Sequence, residues 1–197
     1  MIKFKRDFEK TLPYDRKKYI GYLAEVADSS IKWYGASFQV ADVIDRRDTN
    51  LQQYVEMYEK LFKSIVLELD NGSSWIVNHD DKDLSWFPNE YSNLPYLRAL
   101  FKRNDILYSF KGALIFSTDD LLKFTKELIS YPFTVMGEKD TLYKNLDISH
   151  SKLQTIIKIS GHLNIDFLSL EEGIFRKIIQ AKFANSFIVK EYRSHML

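Results

Sequence analysis

Apolar and polar positions recur along this chain with two different periods, and the switches between them predict its elements. Leu51, Tyr54, Val55, Tyr58, Leu61 and Phe62 fall at helical spacing, the stripe of an amphipathic helix that Thr49 or Asn50 can cap. An earlier helix is predicted to open at Thr11 and Pro13, because proline suits a first turn whose N–H has no partner. Tyr19, Ile20, Leu23, Val26 and Ala27 would supply its apolar face, and Gly21 weakens it by about 1 kcal/mol. Residues 31–44 fit either a helix face or a strand around Phe38 and Val40.

After Phe62 the period changes. Ile65–Leu69 (IVLEL) and Ser74–Val77 (SWIV) flank Asp70-Asn71-Gly72-Ser73. Asn-Gly supplies the two positive φ angles of a type I′ turn, so a hairpin is predicted here. Residues 79–91 read as loop. Pro95 opens a short helix with Leu97, Leu100 and Phe101. Residues 106–110 and 113–116 around Lys111-Gly112 predict a second hairpin. Ser117 with Asp120 has capping spacing, and Leu121 to Ile129 continue that helix up to Tyr131-Pro132. In the last third, Leu153, Ile156, Ile157 and Ser160 before Gly161 read as a helix, and Asn164–Leu168 as a strand. Ser169 and Glu172 then cap a helix holding Ile174, Phe175, Ile178 and Ile179.

These elements predict an α+β fold, with helices packed on an antiparallel or mixed sheet built largely from hairpins; a doubly wound α/β sheet is the second architecture. With only 7 Gly and 4 Pro in 197 residues, nothing reads as a linker, so one domain over 1–197 is expected. Apolar residues make up 45% and aromatics 15%, so rings are expected to carry much of the core.

Charge and chemistry narrow the function classes. The net charge of +1 gives no global pull on nucleic acid or anionic membrane. The absence of Cys removes disulfides, thiolate nucleophiles and Cys-ligated metals. No apolar run approaches the roughly 18 residues of a membrane span, and the charged start is no signal peptide, so a cytoplasmic setting is expected. Phosphate-binding, dinucleotide, nucleophile-elbow and zinc-helix motifs are missing. His79, His150, His162 and His195 are too far apart in sequence to pair on one turn.

What stands out is His79–Tyr91. Residues 66–92 hold six acids against Lys82 alone, with Trp75, Trp86, Phe87 and Tyr91 among them. Acids steer a basic partner and rings anchor it. Asp80, Asp81, Asp83, Trp86, Phe87, Glu90 and Tyr91 are therefore the candidate partner-binding residues. The competing reading makes the acids a solvated loop and Trp86 and Phe87 a plug in the core. Asp80, Asp81 and Asp83 with His79 could also ligate a divalent cation, but adjacent loop acids are ordinarily just hydrated, and no metal or cofactor is expected. Residues 1–18 carry seven bases and three acids, a modest excess; nucleic acid is not expected as a partner, while contact between this basic arm and the acidic loop of a second copy would give a homodimer. His150, read as near a helix start, could act as a base oriented by Asp147 or Asp166. The leading expectation is a non-enzymatic protein-binding domain, such as an immunity- or antitoxin-type protein that caps a basic toxin. The alternative is a hydrolase whose His and carboxylates meet only in the fold.

Overall fold

The computed structural model describes residues 2–17, 33–40, 51–81, 83–88, 93–135 and 145–192. In chain order these form β1 (Lys3–Lys5), β2 (Tyr34–Val40), α1 (Leu51–Glu68), β3 (Trp75–His79), α2 (Pro95–Arg103), β4 (Ala113–Phe116), α3 (Thr118–Thr134), β5 (Leu146–His150), β6 (Thr155–Ser160), β7 (Asn164–Ser169), α4 (Glu172–Ile179) and β8 (Phe187–Glu191). The strands make one sheet in the order β1-β4-β3-β5-β6-β7-β2-β8. Every pairing is antiparallel, so the chain is α+β. The predicted first helix does not open at Thr11 and Pro13, since Thr11 ends a short 3-10 turn (Glu9–Thr11) and Leu12 is extended; its apolar face at Tyr19–Ala27 and the Thr49–Asn50 cap lie outside the described residues.

One sheet face carries the main core. Phe38, Trp75, Val77, Leu114, Phe116, Leu146, Ile148, Ile157, Ile165 and Phe167 join the buried faces of α1 and α3, which also touch one another. On α1 these are Tyr54, Val55, Tyr58, Leu61, Phe62, Ile65 and Val66. Burying such side chains fully contributes about 1.5–3 kcal/mol each. The opposite face carries two smaller apolar clusters, Trp33 with Ile156 and Leu168, and Phe8 with Ile76 and Ala113.

The predicted hairpin at Asp70–Ser73 does not form. Ile65 and Val66 continue α1, since they extend its buried stripe by one more turn from Leu61 and Phe62. Asn71-Gly72 instead ends the helix and turns the chain into β3, with Gly72 at φ 76°. Two side-chain bonds fix the turn, Gly72 N–H to Asp70 Oδ1 at 3.1 Å and Ser73 N–H to Asn71 Oδ1 at 3.2 Å. The second predicted hairpin is also absent: β4 pairs with β1 and β3, while residues 106–110 form turns whose Tyr108 and Phe110 carbonyls accept from the Phe87 and Trp86 N–H groups. Residues 155–160, read as a helix, are β6, and His150 ends β5 instead of starting a helix. These central strands are buried on both faces; in β6 the adjacent Ile156 and Ile157 break the strand alternation.

Of the two predicted Ser caps among the described residues, one forms: Ser169 does not cap α4, whose N-cap is Glu171 without a side-chain bond, and the Ser169 hydroxyl oxygen accepts from Glu171 N–H at 2.9 Å instead. Ser117 caps α3 and accepts from Asp120 N–H at 3.2 Å. Pro132, expected to stop α3, sits inside its last turn before Thr134. Leu94 gives α2 no side-chain cap. Glu127 of α3 supplies one, accepting from the N–H groups of Tyr96 at 2.8 Å and Leu97 at 2.6 Å. Burial raises its pKa above the usual glutamate value, against those two bonds.

Candidate functional site

The segment after β3 is an acidic turn fixed at its base. Asp80 is half-buried; its Oδ2 takes hydrogen bonds from Asn145 Nδ2 at 3.0 Å and from Lys158 Nζ at 3.3 Å. Its N–H reaches the Asn145 carbonyl at 3.2 Å. Arg16 donates to the carbonyls of Asp80 and His79 and pairs with Glu9 at 3.5 Å. Asp81 and Asp83 then stand exposed, and Asp81 Oδ1 accepts from Asp83 N–H at 3.0 Å, closing a small local turn. Glu90 and Tyr91 lie outside the described residues.

Trp86 and Phe87 are core residues, at 0% and 3% exposure. The Trp86 indole N–H donates to the Gly112 carbonyl at 3.0 Å, and its ring meets His79, Tyr131 and Phe101. Phe87 packs edge-on against Phe101 and Tyr108, with the Arg98 guanidinium 4.5 Å over its ring. Rings so placed offer no surface to a partner in this conformation. The expected docking surface therefore keeps Asp81 and Asp83 and loses these two anchors. The apolar pull that seats them comes from a pocket of rings contributed by α2, α3 and the 106–110 turns, none of which is adjacent in sequence.

The histidines and carboxylates do not assemble into a catalytic group among the described residues. His79 is buried, with Nε2 2.8 Å from the Tyr131 hydroxyl. Burial lowers its pKa to about 4, against the weaker opposing pull of Asp80 and Asp81. His150 is buried too, and its Nδ1 accepts the N–H groups of Lys152 at 3.1 Å and Leu153 at 2.9 Å. That bonding requires the proton on Nε2, and burial again favours the neutral ring. Alternation along β5 puts Asp147 on the sheet face opposite His150. Asp70 acts on His150 through space, but its own Oδ1 is taken by the Thr118 hydroxyl at 2.6 Å. No group of three or more His, Asp or Glu is placed to hold a metal among the described residues.

A polar row that crosses the second sheet face is the largest constellation the sequence reading missed. Strand register aligns Asn78, Asp147, Lys158, Asp166, Ser37 and Lys190 across β3, β5, β6, β7, β2 and β8. Lys158 is buried and lies 3.3 Å from both Asp147 and Asp80. Burial alone would lower its pKa, but the two carboxylates outweigh it and hold the ammonium above the ordinary lysine value. Asp166 is pushed up by burial, against bonds from Ser37, Tyr192 and Asn164. Tyr14, bonded to Ser149 Oγ at 2.8 Å, covers part of this face.

An open cleft of about 350 Å³ lies at the start of β3, where Lys3, Asp70, Ser74, Ser117, Thr118 and Asp119 meet. Its floor is braced by the Thr118 hydroxyl, which accepts from the Trp75 indole N–H at 3.1 Å and donates to Asp70. The Thr118 hydroxyl and the Gly72 N–H hold the Asp70 carboxyl below the usual aspartate value.

No family model, curated protein or solved structure matches this chain. No helix among the described residues is long and apolar enough to cross a membrane. The polar row left no sequence signal, because each strand contributes one polar residue and the strands lie far apart in the chain. Lys158 alone could have raised a flag, as a lysine inside the apolar run TIIKIS.

Proposed function

We propose that this chain is a non-enzymatic, cytoplasmic protein-binding domain that caps a basic partner through the acidic turn after β3. An immunity- or antitoxin-type protein that blocks a basic toxin is its concrete form. The observation behind this reading is the preorganisation of the turn. Asp80 is tied to Lys158 and Asn145 at one end, Trp86 and Phe87 are seated in the core at the other, and Asp81 and Asp83 stand exposed between them. A turn already fixed at its base gives up less conformational entropy when a partner arrives, and exposed acids raise the association rate of a basic one. The hydrolase alternative has less behind it, since His79 and His150 are engaged in the core and held neutral.

A photo-crosslinking residue in place of Asp83, with one in place of the exposed Glu56 on α1 as control, tests this reading in the native host. Capture of one basic protein at position 83 and not at 56 is the expected result. With that protein purified, Asp81→Asn with Asp83→Asn should slow association and flatten its salt dependence while leaving dissociation and the melting temperature alone. Asp80 is kept, because it belongs to the Lys158 network. Equal capture at both positions, or binding indifferent to the Asn pair, refutes the proposal.

A further inference from the structure

The two ends of the sheet are finished differently. β1, at one end, is three residues long and reads Lys-Phe-Lys. A short strand guarded by lysines resists pairing with a further strand. β8, at the other end, is five residues long and opens on Phe187-Ile188-Val189. Its Ile188 is 42% exposed.

The register of β2 with β8 decides which backbone groups this edge offers. Tyr192 N–H donates to the Gly35 carbonyl at 2.8 Å, one step beyond the Ala36–Glu191 pair. Hydrogen-bonded pairs recur at every second residue of an antiparallel ladder, so Ser37–Lys190 and Gln39–Ile188 follow it. Ile188 and Lys190 therefore turn their N–H and C=O groups towards β2, while Phe187, Val189 and Glu191 turn theirs away from the sheet. The Phe187 N–H is already given to the Ala184 carbonyl in the 3-10 turn Lys182–Ser186. Both groups of Val189, both of Glu191 and the Phe187 carbonyl are left without a strand to pair with among the described residues.

We propose that β8 pairs antiparallel with β8 of a second copy, Val189 facing the partner's Val189 on a two-fold axis, so that the two sheets become one. The edge is complementary to itself in this register. Val189 and the partner's Val189 exchange both their bonds, and each Glu191 N–H goes to the partner's Phe187 carbonyl. The one outward donor that is missing, the Phe187 N–H, is not needed for those bonds. Outward groups must meet outward groups, so the neighbouring symmetric registers centre on Lys190 or Ile188. Centring on Lys190 sets two lysines directly opposite, which is destabilising. Centring on Ile188 carries Glu191 past the partner's β8 and leaves its N–H bare.

The side chains agree with the Val189 register. Ile188 falls opposite the partner's Lys190 in a non-hydrogen-bonded pair, where side chains approach most closely. The lysine stem then covers the exposed isoleucine while its ammonium stays in water. Val189 meets the partner's Val189 on the face of the main core. Glu191, which pairs with Arg176 at 3.0 Å, faces the partner's Phe187, so no like charges are opposed. A contact of two five-residue strands belongs with weak interfaces, below about 1,200 Å², and should fill only at high protein concentration. β3 lies five strand spacings from β8, about 24 Å, so both acidic turns stay free in the dimer. The pairing and the acidic-turn reading therefore stand or fall separately.

Amide exchange read residue by residue, with sedimentation beside it, tests the edge at about 20 µM and about 1 mM protein. At the lower concentration Ile188 and Lys190 should be protected and Val189 and Glu191 should exchange freely. At the higher one Val189 and Glu191 should gain protection severalfold as monomer gives way to dimer. Val189→Pro removes the central donor, and because that N–H points away from β2 an edge strand accepts the proline. The variant should stay monomeric and keep the parent's melting temperature. Should the proline disturb the strand, Ile188→Lys carries the test. It sets a lysine opposite the partner's Lys190 and should weaken dimerisation about tenfold, less so at high salt. The chain has no cysteine, so Ile188→Cys, Val189→Cys and Lys190→Cys each report one register on oxidation, and Val189→Cys should cross-link fastest. A chain that sediments as monomer at about 1 mM overturns the proposal and leaves the edge to a strand of another protein. A dimer whose Val189 and Glu191 amides stay open overturns it too, as does one that Ile188→Lys and Val189→Pro both leave intact.

Discussion

Replacing Trp86 by alanine should cost this protein a large share of its stability. The ring is fully buried and packs on His79, Tyr131 and Phe101, three residues from three separate segments that cannot all move in to fill the space. Truncating a buried tryptophan typically costs about 3–5 kcal/mol when the surroundings relax only in part. The Gly112 carbonyl also loses the indole N–H that it accepts at 3.0 Å, which adds about 1 kcal/mol for an unpaired buried acceptor. The sum, about 4–6 kcal/mol, is comparable to the whole stability of a marginal domain. In a chain of this length it should lower the melting temperature by about 10–20 °C. Urea titration at pH 7.5, where His79 is neutral, reads the loss as a shifted midpoint. Trp86→Phe keeps a ring and surrenders the N–H, and should cost about 1–3 kcal/mol. Tyr96→Ala, at a residue 71% exposed, should stay within about 0.5 kcal/mol. A Trp86→Ala protein as stable as the Tyr96→Ala control would refute the packing argument and restore this ring to the surface.

Lys158→Met leaves Asp147 and Asp80 without their cation and should cost about 3–5 kcal/mol by urea titration at neutral pH. Because the Lys158 pKa is raised above 10.5, its stabilisation is complete below that pH and fades as pH rises past it; the parent should lose stability there and the Met variant should lose less. Leu163 sits at φ 62° in the β6–β7 turn, a conformation costing a leucine about 1–2 kcal/mol. Leu163→Asn should raise stability by about 0.5–1 kcal/mol in thermal denaturation, and a loss of that size would contradict the strain argument. One sheet holding every described strand should melt as one calorimetric transition, and two resolved peaks would count against a single domain.

The legible parts of this fold were those whose signal is local. The stripe from Tyr54 to Phe62, Pro95 at the start of α2 and the Ser117 cap each depend on residues within one or two turns, and each is present. Ile65–Leu69 misled because β-branched residues beside Asn-Gly satisfy a hairpin locally, while their role is set by α1, whose buried face runs on through them. Thr155–Ser160 misled differently. Ile156 and Ile157 are adjacent and lie on opposite buried faces, which breaks the strand alternation, and the spacing of Leu153, Ile156, Ile157 and Ser160 fits a helix face equally well. The candidate site was legible only as a charge excess. Whether Trp86 faces out or in depends on Phe101, Tyr131 and Gly112, and nothing near it in sequence announces them.

The sheet order has a consequence for how the chain is made. β2 lies between β7 and β8, and its residue Phe38 pairs with Ile165 and Val189. On a ribosome working at about 5–20 residues per second, β2 therefore emerges roughly 6–30 s before its neighbours exist. During that interval it is a free strand with both hydrogen-bonding edges bare and Phe38 uncovered, the form in which chains pair with the wrong neighbour. The β5–β6–β7 meander has no such delay, because its strands follow one another through short turns. The nascent chain should thus assemble from its C-terminal half backwards, with β2 captured late, and a ribosome stalled before β7 should hold a product that chaperones recognise and proteases clear.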